Sequence, residues 1–280
     1  MKTTRFSYPR YALLLTFFAC LPASPAASPP EKVLAGKVAI VTGSSANLGR
    51  GYAVALARMG ADVVVHYHTE RLRAEADETV RLAKEQGART ILVSGDLTDL
   101  NVIKRMFDET FVAFGRVDIV INNAGAIVKK PLADVTEEEF DRCFGINAKA
   151  PFFIMQEAAR RMSDGGRIIN IGTSLLAATT ANYSAYAGSK APMEHFTRAL
   201  AKEIGKRGIT VNCLAPGPVD TPFFHSQETP ESTARAASGS VAGRLGKVED
   251  IVPVIEFLAS PGSQWITAQT IFVNGGYNAR

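Results

Sequence analysis

A tyrosine and a lysine four residues apart, Tyr186 and Lys190, are the side chains whose types and spacing most directly suggest chemistry. If a helix begins here, positions i and i+4 share one face, so the phenol and the ammonium point into one pocket. A fixed cation favours the phenolate and lowers a pKa that is ordinarily about 10. Such a pair can give a proton to a developing alkoxide or take one from an alcohol. The alternative is an ordinary helix start with a surface lysine and a half-buried tyrosine.

A glycine- and serine-rich turn near the start of the body indicates an anion-binding site. It follows the apolar run 37–42 and precedes the amphipathic run 52–59, so it lies between a predicted strand and a predicted helix. Backbone N–H groups and the helix dipole at such a turn point at a phosphate, and glycines allow a close approach. The turn residues concerned are Gly43, Ser44, Ser45, Asn47, Leu48 and Gly49.

The elements that position these residues alternate along the chain. Short apolar runs predict seven strands at 37–42, 61–66, 89–93, 117–121, 167–171, 209–214 and 270–273, and amphipathic runs predict helices between them. Near-continuous apolar strands separated by helices are typical of a parallel sheet covered on both faces. The sequence therefore predicts an α/β fold, a single doubly wound Rossmann-type domain with a seven-stranded parallel sheet.

Local signals place several helix ends. Thr98 is the predicted N-cap of a helix that ends at Phe114. Thr136 and Glu139 predict a capping box at the start of one long helix toward Met162, and a single helix is expected over 186–206. The irregular segment 218–246 follows a late strand, so it is predicted to cover the cleft as a substrate lid.

Composition bounds the class of protein. The chain has 280 residues, 46% hydrophobic and 21% charged, enough for one large domain with a sizeable core. The net charge of +4 is spread along the chain without a basic block, so no nucleic-acid partner is expected. Its three cysteines have no metal-ligand spacing, so we predict neither a disulfide framework nor a metal site.

The first 36 residues differ in character from the predicted domain at 37–280. Basic residues precede an apolar run at 11–21, and small residues and prolines follow. That order is typical of a secretory signal peptide cleaved near Ala26 or Ala27, and the run is too short to span a membrane comfortably. A non-functional extension from an upstream start codon remains the alternative, so the location stays open between the cytoplasm and the periplasm or exterior.

Together these motifs resemble the classical short-chain dehydrogenases/reductases over about 37–280. The resemblance is carried by the following motifs: Thr42-Gly43-x3-Asn47-Leu48-Gly49, Asn122-Asn123-Ala124-Gly125, Asn147, Thr173-Ser174, Tyr186-x3-Lys190 and Pro216-Gly217. Within that family the chain is most similar to the polyhydroxynaphthalene reductases and the 3-oxoacyl-carrier-protein reductases. Asn47 stands where the family has a glycine, and Asn is the side chain that best tolerates left-handed backbone angles.

The resemblance implies roles for the residues of the predicted active site. Tyr186 would be the general acid in reduction and the base in oxidation, and Lys190 would lower its pKa and hold the nicotinamide ribose. Asn147 would anchor a proton-relaying water. A hydroxyl would polarise the substrate carbonyl, and here the family's spacing favours Thr173 while its residue type favours Ser174, so both remain candidates.

Charge at the end of the second strand favours NADP over NAD. NAD-binding domains of this fold place a carboxylate there for the ribose 2′-OH. Here residues 65–69 contain no acid, and the first one after the strand is Glu70. Donors to a 2′-phosphate could come from Ser44, Arg50, His66 and Thr69. An exposed strand end is the alternative for His66 and His68.

The resemblance also implies where the remaining parts of the dinucleotide would bind. Asp96 and Leu97 would hold the adenine, and Asn123, Ala124 and Gly125 would line the ribose. Tyr186 and Lys190 would face the nicotinamide, which Pro216, Gly217, Val219 and Thr221 would fix.

The expected function is NADP-dependent hydride transfer between the nicotinamide and a small ketone or secondary alcohol. Phe223 and Phe224 suggest an apolar or aromatic substrate, although such pairs also simply pack a lid. The alternatives are a 3-oxoacyl-carrier-protein reductase and a non-catalytic dinucleotide-binding regulator. The family resemblance implies a homotetramer, with 265–277 as a subunit contact; no membrane partner is expected.

Overall fold

The structure, a computed structural model, describes residues 32–279. The signal-like segment, including the predicted cleavage site, lies outside these residues. The compact body begins at Lys32, earlier than the expected Lys37, because Leu34 is buried in the core and its N–H donates to the Met59 oxygen at 2.9 Å.

Seven parallel strands form one sheet, as predicted, and the structure gives their order as β3-β2-β1-β4-β5-β6-β7. The strands are β1 (Val38–Val41), β2 (Asp62–Tyr67), β3 (Thr90–Ser94), β4 (Ile119–Asn122), β5 (Arg167–Ile171), β6 (Thr210–Pro216) and β7 (Thr270–Val273). The order reverses between β1 and β4, and a crevice opens at such a point beyond the carboxyl ends of the strands.

Ten α-helices accompany the sheet within the described part of the chain. They are α1 (Asn47–Arg58), α2 (Arg73–Glu85), α3 (Leu100–Phe114), α4 (Glu137–Phe144), α5 (Ala150–Arg161), α6 (Ser184–Lys190), α7 (Pro192–Ile204), α8 (Pro222–His225), α9 (Pro230–Ser238) and α10 (Val248–Ala259). None of the helices among residues 32–279 is long and apolar enough to cross a membrane.

The alternating side chains of the strands build a core on each face of the sheet. Val41 and Val65 pack on one side with residues of α1, α2 and α10. Ile40 and Val64 pack on the other with residues of α3, α5 and α7. Both faces are therefore dry, which agrees with the near-continuous apolar strands of the sequence.

Of three predictions about helix ends, one is confirmed and two are wrong. The capping box of Thr136 and Glu139 is confirmed at α4. The predicted Thr98 cap is wrong, because the Asp99 carboxylate accepts the Asn101 N–H at 2.9 Å and α3 begins after it. The expected single helix over 186–206 divides into α6 and α7 at Pro192, a residue favoured in the first turn of a new helix because it lacks an N–H.

Candidate active site

One cleft of about 2150 Å³ runs along the carboxyl ends of the strands. It is lined by most of the residues predicted to bind cofactor or substrate. The exceptions are Ser44, Arg50, Thr69 and Asn147. The cleft exceeds the usual volume of a small-ligand pocket, so it has room for a dinucleotide and a substrate together.

The turn between β1 and α1 forms a tight backbone cradle. A Cβ on Gly49 would lie 2.2 Å from the Gly43 oxygen, so no larger residue fits there. Asn47 has φ 52, the left-handed conformation that the sequence predicted an asparagine could supply. Ala46 offers no side-chain cap to α1 and the first turn holds no acid, so the helix N-terminus is suited to an anion.

Asn123 and Thr42 fix this turn to the end of β4. The Asn123 amide donates to the backbone oxygens of Thr42 and Gly43 at 2.9 and 3.0 Å. The Thr42 hydroxyl accepts the N–H groups of Asn123 and Ala124 at 2.9 and 3.0 Å. The two cofactor-binding motifs of the sequence are thus one hydrogen-bonded unit.

His66 is a structural part of this cradle. Its Nδ1 accepts the Gly43 N–H at 3.1 Å, so Nε2 carries the proton and donates to the Gly95 oxygen at 3.0 Å. Burial lowers the pKa of His66 to about 4, which keeps the ring neutral. The prediction that His66 donates to a 2′-phosphate is wrong, because both ring nitrogens have partners. The alternative of an exposed strand end is wrong for His66, which is buried, and right for His68, which is exposed.

The other predicted phosphate donors are also placed differently from the expectation. The Ser44 hydroxyl is buried and donates to the Val41 oxygen at 2.7 Å. Arg50 donates to Ser45 and Glu75 backbone oxygens. Thr69 is exposed beside the cleft rather than in its lining. His68 is exposed and lines the cleft together with the backbone of the cradle, at the end of β2 where the sequence predicted the 2′-phosphate to bind.

Asp96 and Leu97 lie on the cleft wall at the end of β3 as expected. Leu97 is buried, and the Asp96 carboxylate accepts the Thr98 N–H at 2.9 Å. This pairing turns the chain so that both residues face the cleft.

The catalytic candidates meet at the middle of the cleft, where β5 ends. The Tyr186 phenol interacts with the Thr173 side chain, and this interaction acts to lower the pKa of Tyr186. The Ser174 hydroxyl instead donates to the Ala215 oxygen on β6 at 3.3 Å and is 2% exposed. The geometry therefore pairs the phenol with Thr173, as the spacing suggested, because neighbouring residues at a strand end point in opposite directions.

Lys190 lies below the tyrosine on α6. Its ammonium donates to the Ile171 oxygen at 2.7 Å, and burial lowers the pKa of Lys190 to about 8. Burial also raises the pKa of Tyr186 to about 12, although the Thr173 hydrogen bond acts in the opposite direction. Lys190 is not among the groups that shift the pKa of Tyr186 here, and the net direction is upward rather than the predicted lowering.

Asn147 is fully buried in a π-helical turn, Gly145–Lys149, between α4 and α5. Its amide accepts from the Ala126 N–H at 3.0 Å and donates to the Ala126 oxygen at 2.7 Å and to Ser189 Oγ at 2.9 Å. A Cβ on Gly125 would lie 2.8 Å from Asn147 Oδ1 and 3.5 Å from Lys190 Nζ. Gly125 thus lies between Asn147 and the lysine.

The last predicted segment follows β6 along the rim of the cleft. Pro216 ends the strand, and the Gly217 N–H donates to the Val273 oxygen at 3.0 Å. Val219 is buried, and the Thr221 hydroxyl caps α8 by accepting the Phe224 N–H at 3.4 Å. These residues line the cleft at the point where the irregular segment 218–246 begins.

Sequence reasoning missed a second polar group in the cleft, made of Lys129, Tyr183 and Glu228. They come from three segments that are far apart in sequence, so no local motif marks them. Among residues 32–279 no cluster of three or more His, Cys, Asp or Glu side chains is arranged to hold a metal ion.

The sequence and the fold are similar to those of known proteins. The family model described as Enoyl-(Acyl carrier protein) reductase matches residues 43–278. A "Short-chain type dehydrogenase/reductase" of Picea abies is 41% identical over 87% of this chain and 93% of its own length.

Further relatives carry more specific names. The "NADPH-dependent aldehyde reductase-like protein, chloroplastic" of Arabidopsis thaliana is 40% identical, over 89% of this chain and 97% of that protein. A "Hydroxynaphthalene reductase-like protein Arp2" of Metarhizium majus is also 40% identical, over 87% and 95%. A crystal structure of a Burkholderia cenocepacia protein described as a dehydrogenase, with bound NADP, superposes with a TM-score of 0.86 at 41% identity, covering 89% of this chain and 96% of that one. The chain belongs to the classical short-chain dehydrogenase/reductase family, as its motifs predicted.

Proposed function

We propose that this protein is an NADP-dependent carbonyl reductase that interconverts a ketone or aldehyde and the corresponding alcohol. The observation that carries the proposal is the pairing of Tyr186 with Thr173 in a cleft that also contains the glycine cradle. The reductase names of the relatives and the NADP-bound neighbour support the activity and the cofactor.

The cradle fits the pyrophosphate of such a cofactor. Gly43, Gly49 and the amides at the start of α1 would hold the phosphates, and Asn123 keeps those groups in place. When bound, NADPH supplies the hydride.

The chain's own residues would handle the carbonyl oxygen and the proton. The Thr173 hydroxyl would donate a hydrogen bond to the oxygen, and Tyr186 would give it the proton. The raised pKa of Tyr186 keeps that proton on the phenol until the oxygen becomes basic.

Lys190 and Asn147 would support this transfer from below. Lys190 is held by Ile171 and faces the same cleft, so it would bind the ribose hydroxyls and resupply the proton. Asn147, fixed by Ala126 and Ser189, would orient the water that links the lysine to solvent.

An apolar or aromatic carbonyl compound is the proposed substrate class. Phe223 and Phe224 line the lid side of the cleft, and the ring of Tyr183 lies 6.2 Å from that of Tyr186 between centroids. The hydroxynaphthalene reductase-like relative supports the same class.

The activity test follows NADPH and NADH consumption by the purified chain. A panel would contain a bicyclic aromatic ketone, an aliphatic ketone, an aromatic aldehyde and a 3-oxoacyl thioester. Faster NADPH consumption with the aromatic carbonyls is expected. Preference for the thioester would favour a 3-oxoacyl-carrier-protein reductase, and NADPH binding without turnover of any compound would favour the non-catalytic regulator.

We also propose a homotetramer, which the family resemblance implies. Trp265 is 98% exposed in the single chain just before β7, which gives that edge an apolar surface to cover. Light scattering on the purified protein tests the subunit number, and N-terminal sequencing of the natural protein tests whether residues 1–27 are removed.

A further inference from the structure

A buried carboxylate, Glu228, joins the lid (residues 218–246) to the body of the protein. It lies between α8 and α9, and its side chain is 3% exposed. Lys129 Nζ contacts it at 2.5 Å, Ser232 Oγ donates to it at 2.5 Å, and the Tyr183 hydroxyl donates to the other carboxylate oxygen. Burial acts to raise the pKa of Glu228, but these donors outweigh it and the pKa is lowered, so the group is an anion.

The partners on the body are organised without help from the lid. The Lys130 N–H donates to the Asn182 oxygen at 2.8 Å, which joins the segments that carry Lys129 and Tyr183. The Lys129 ammonium also lies 5.4 Å from the centre of the Tyr183 ring, a cation–π distance. The Lys129 ammonium and the Tyr183 hydroxyl therefore lie close together, where both can bind the carboxylate of Glu228.

The tip of the lid, around α8 and α9, has few other contacts that hold it. Neither α8 nor α9 contains a buried residue, so hydrophobic packing contributes little to its position. Backbone hydrogen bonds between Pro218, Asp220 and Gly246 join the two ends of the lid. Its C-terminal part is fixed to the body by the Val241 N–H, which donates to the Gly275 oxygen at 2.8 Å, and by the ion pair of Arg244 with Asp250, but none of these contacts reaches the tip between α8 and α9. A charge-assisted contact from the tip is therefore the main connection across the substrate end of the cleft.

From these contacts we propose that Glu228 is a positioning residue that holds the lid over Tyr186 by binding Lys129 and Tyr183. Tyr183 precedes Tyr186 by one helical turn and their rings pack together, so the contact also fixes one wall of the substrate site. The inference rests on the proposed function, because a carbonyl substrate would bind beneath this lid.

The test compares Glu228→Gln with Glu231→Gln, an exposed glutamate on the same lid. Glutamine keeps the size of the side chain and removes its charge. Glu228→Gln is expected to raise KM for the carbonyl substrate by roughly tenfold, as loss of a charge-assisted hydrogen bond predicts, with a smaller change in kcat. The Kd for NADPH should stay within about twofold, since the cradle is remote from the lid tip. Glu231→Gln should behave as the parent protein.

Amide hydrogen exchange provides a readout that does not depend on activity. Exchange across residues 222–238 should accelerate in Glu228→Gln and not in Glu231→Gln. Tyr183→Phe, which removes one donor and keeps the ring, should give the same change to a lesser degree. It serves in place of Glu228→Gln if that variant does not fold.

A double-variant cycle with Lys129→Met tests the mechanism. Lys129→Met leaves the carboxylate buried without its cation, so the lid should open more than in the pair Lys129→Met/Glu228→Gln. Additive effects of the two changes, or equal exchange and KM in the two glutamine variants, would overturn the proposal. If the parent protein reduces no carbonyl compound, the proposed function fails, while the exchange measurements still decide whether Glu228 holds the lid.

Discussion

Lys190 Nζ donates to the backbone oxygen of Ile171 across 2.7 Å, which ties the helix of the reacting tyrosine to the end of the central strand β5. The bond places a buried ammonium directly beneath the cleft. Because Thr173 follows Ile171 by two residues, the same strand end holds both the lysine and the hydroxyl partner of Tyr186.

Tyr186→Phe should lose about 10²- to 10⁴-fold in kcat, because it removes the proton donor and leaves the ring in place. The Kd for NADPH, measured by fluorescence titration, should change little. Tyr67→Phe is a matched control, since its hydroxyl bonds to Glu70 away from the cleft. Retained turnover in Tyr186→Phe would refute the role proposed for the phenol.

Thr173→Val should lower kcat strongly, whereas Ser174→Ala should have little effect on kcat. Loss of the hydroxyl that bonds Tyr186 should lower kcat about 10²- to 10³-fold, the usual effect of removing one donor to a developing oxyanion. Ser174→Ala removes only a bond to the Ala215 oxygen, so its main effect should be a loss of stability of about 1 kcal/mol. Thr173→Ser should restore most of the activity, and steady-state kinetics with thermal unfolding would separate the two residues. A larger kinetic defect in Ser174→Ala would reverse the assignment.

The lowered pKa of Lys190 should make the stability of the folded protein depend on pH. Its pKa is about 8 in the folded protein against an ordinary 10.5, so between these values the unfolded chain binds more protons and stability rises with pH. The free energy of unfolding of the parent protein relative to Lys190→Met should therefore increase by about 2 kcal/mol between roughly pH 8 and pH 10. Urea unfolding of both proteins across this range measures the difference. A constant or falling difference would contradict a buried lysine of lowered pKa.

Gly49→Ala should damage the cofactor cradle. A Cβ there would lie 2.2 Å from the Gly43 oxygen, so the backbone that faces the pyrophosphate must shift. The Kd for NADPH should rise by roughly tenfold or more, as expected when charge-assisted backbone hydrogen bonds are misplaced. Gly205→Ala is the control, because a Cβ there meets nothing within 4 Å, and it should bind NADPH normally. Unchanged binding in Gly49→Ala would mean that the cofactor does not use this turn.

Local sequence patterns were sufficient for the sheet and for most of the cleft. Near-continuous apolar runs predicted all seven strands, because burial on both faces constrains every residue of a strand such as Val38–Val41. The left-handed Asn47 and the capping box at Thr136 were equally predictable, since each depends on neighbours within a few residues.

Only the tertiary structure decided which of these residues meet. Thr173 rather than Ser174 faces Tyr186, since the direction of a side chain at a strand end depends on how the next strand packs beside it. His66 holds Gly43 because Gly95, the residue after β3, supplies a carbonyl oxygen to its other ring nitrogen. Glu228 pairs with Lys129 across 99 residues of sequence, a contact that no local pattern encodes because chain folding alone brings its partners together.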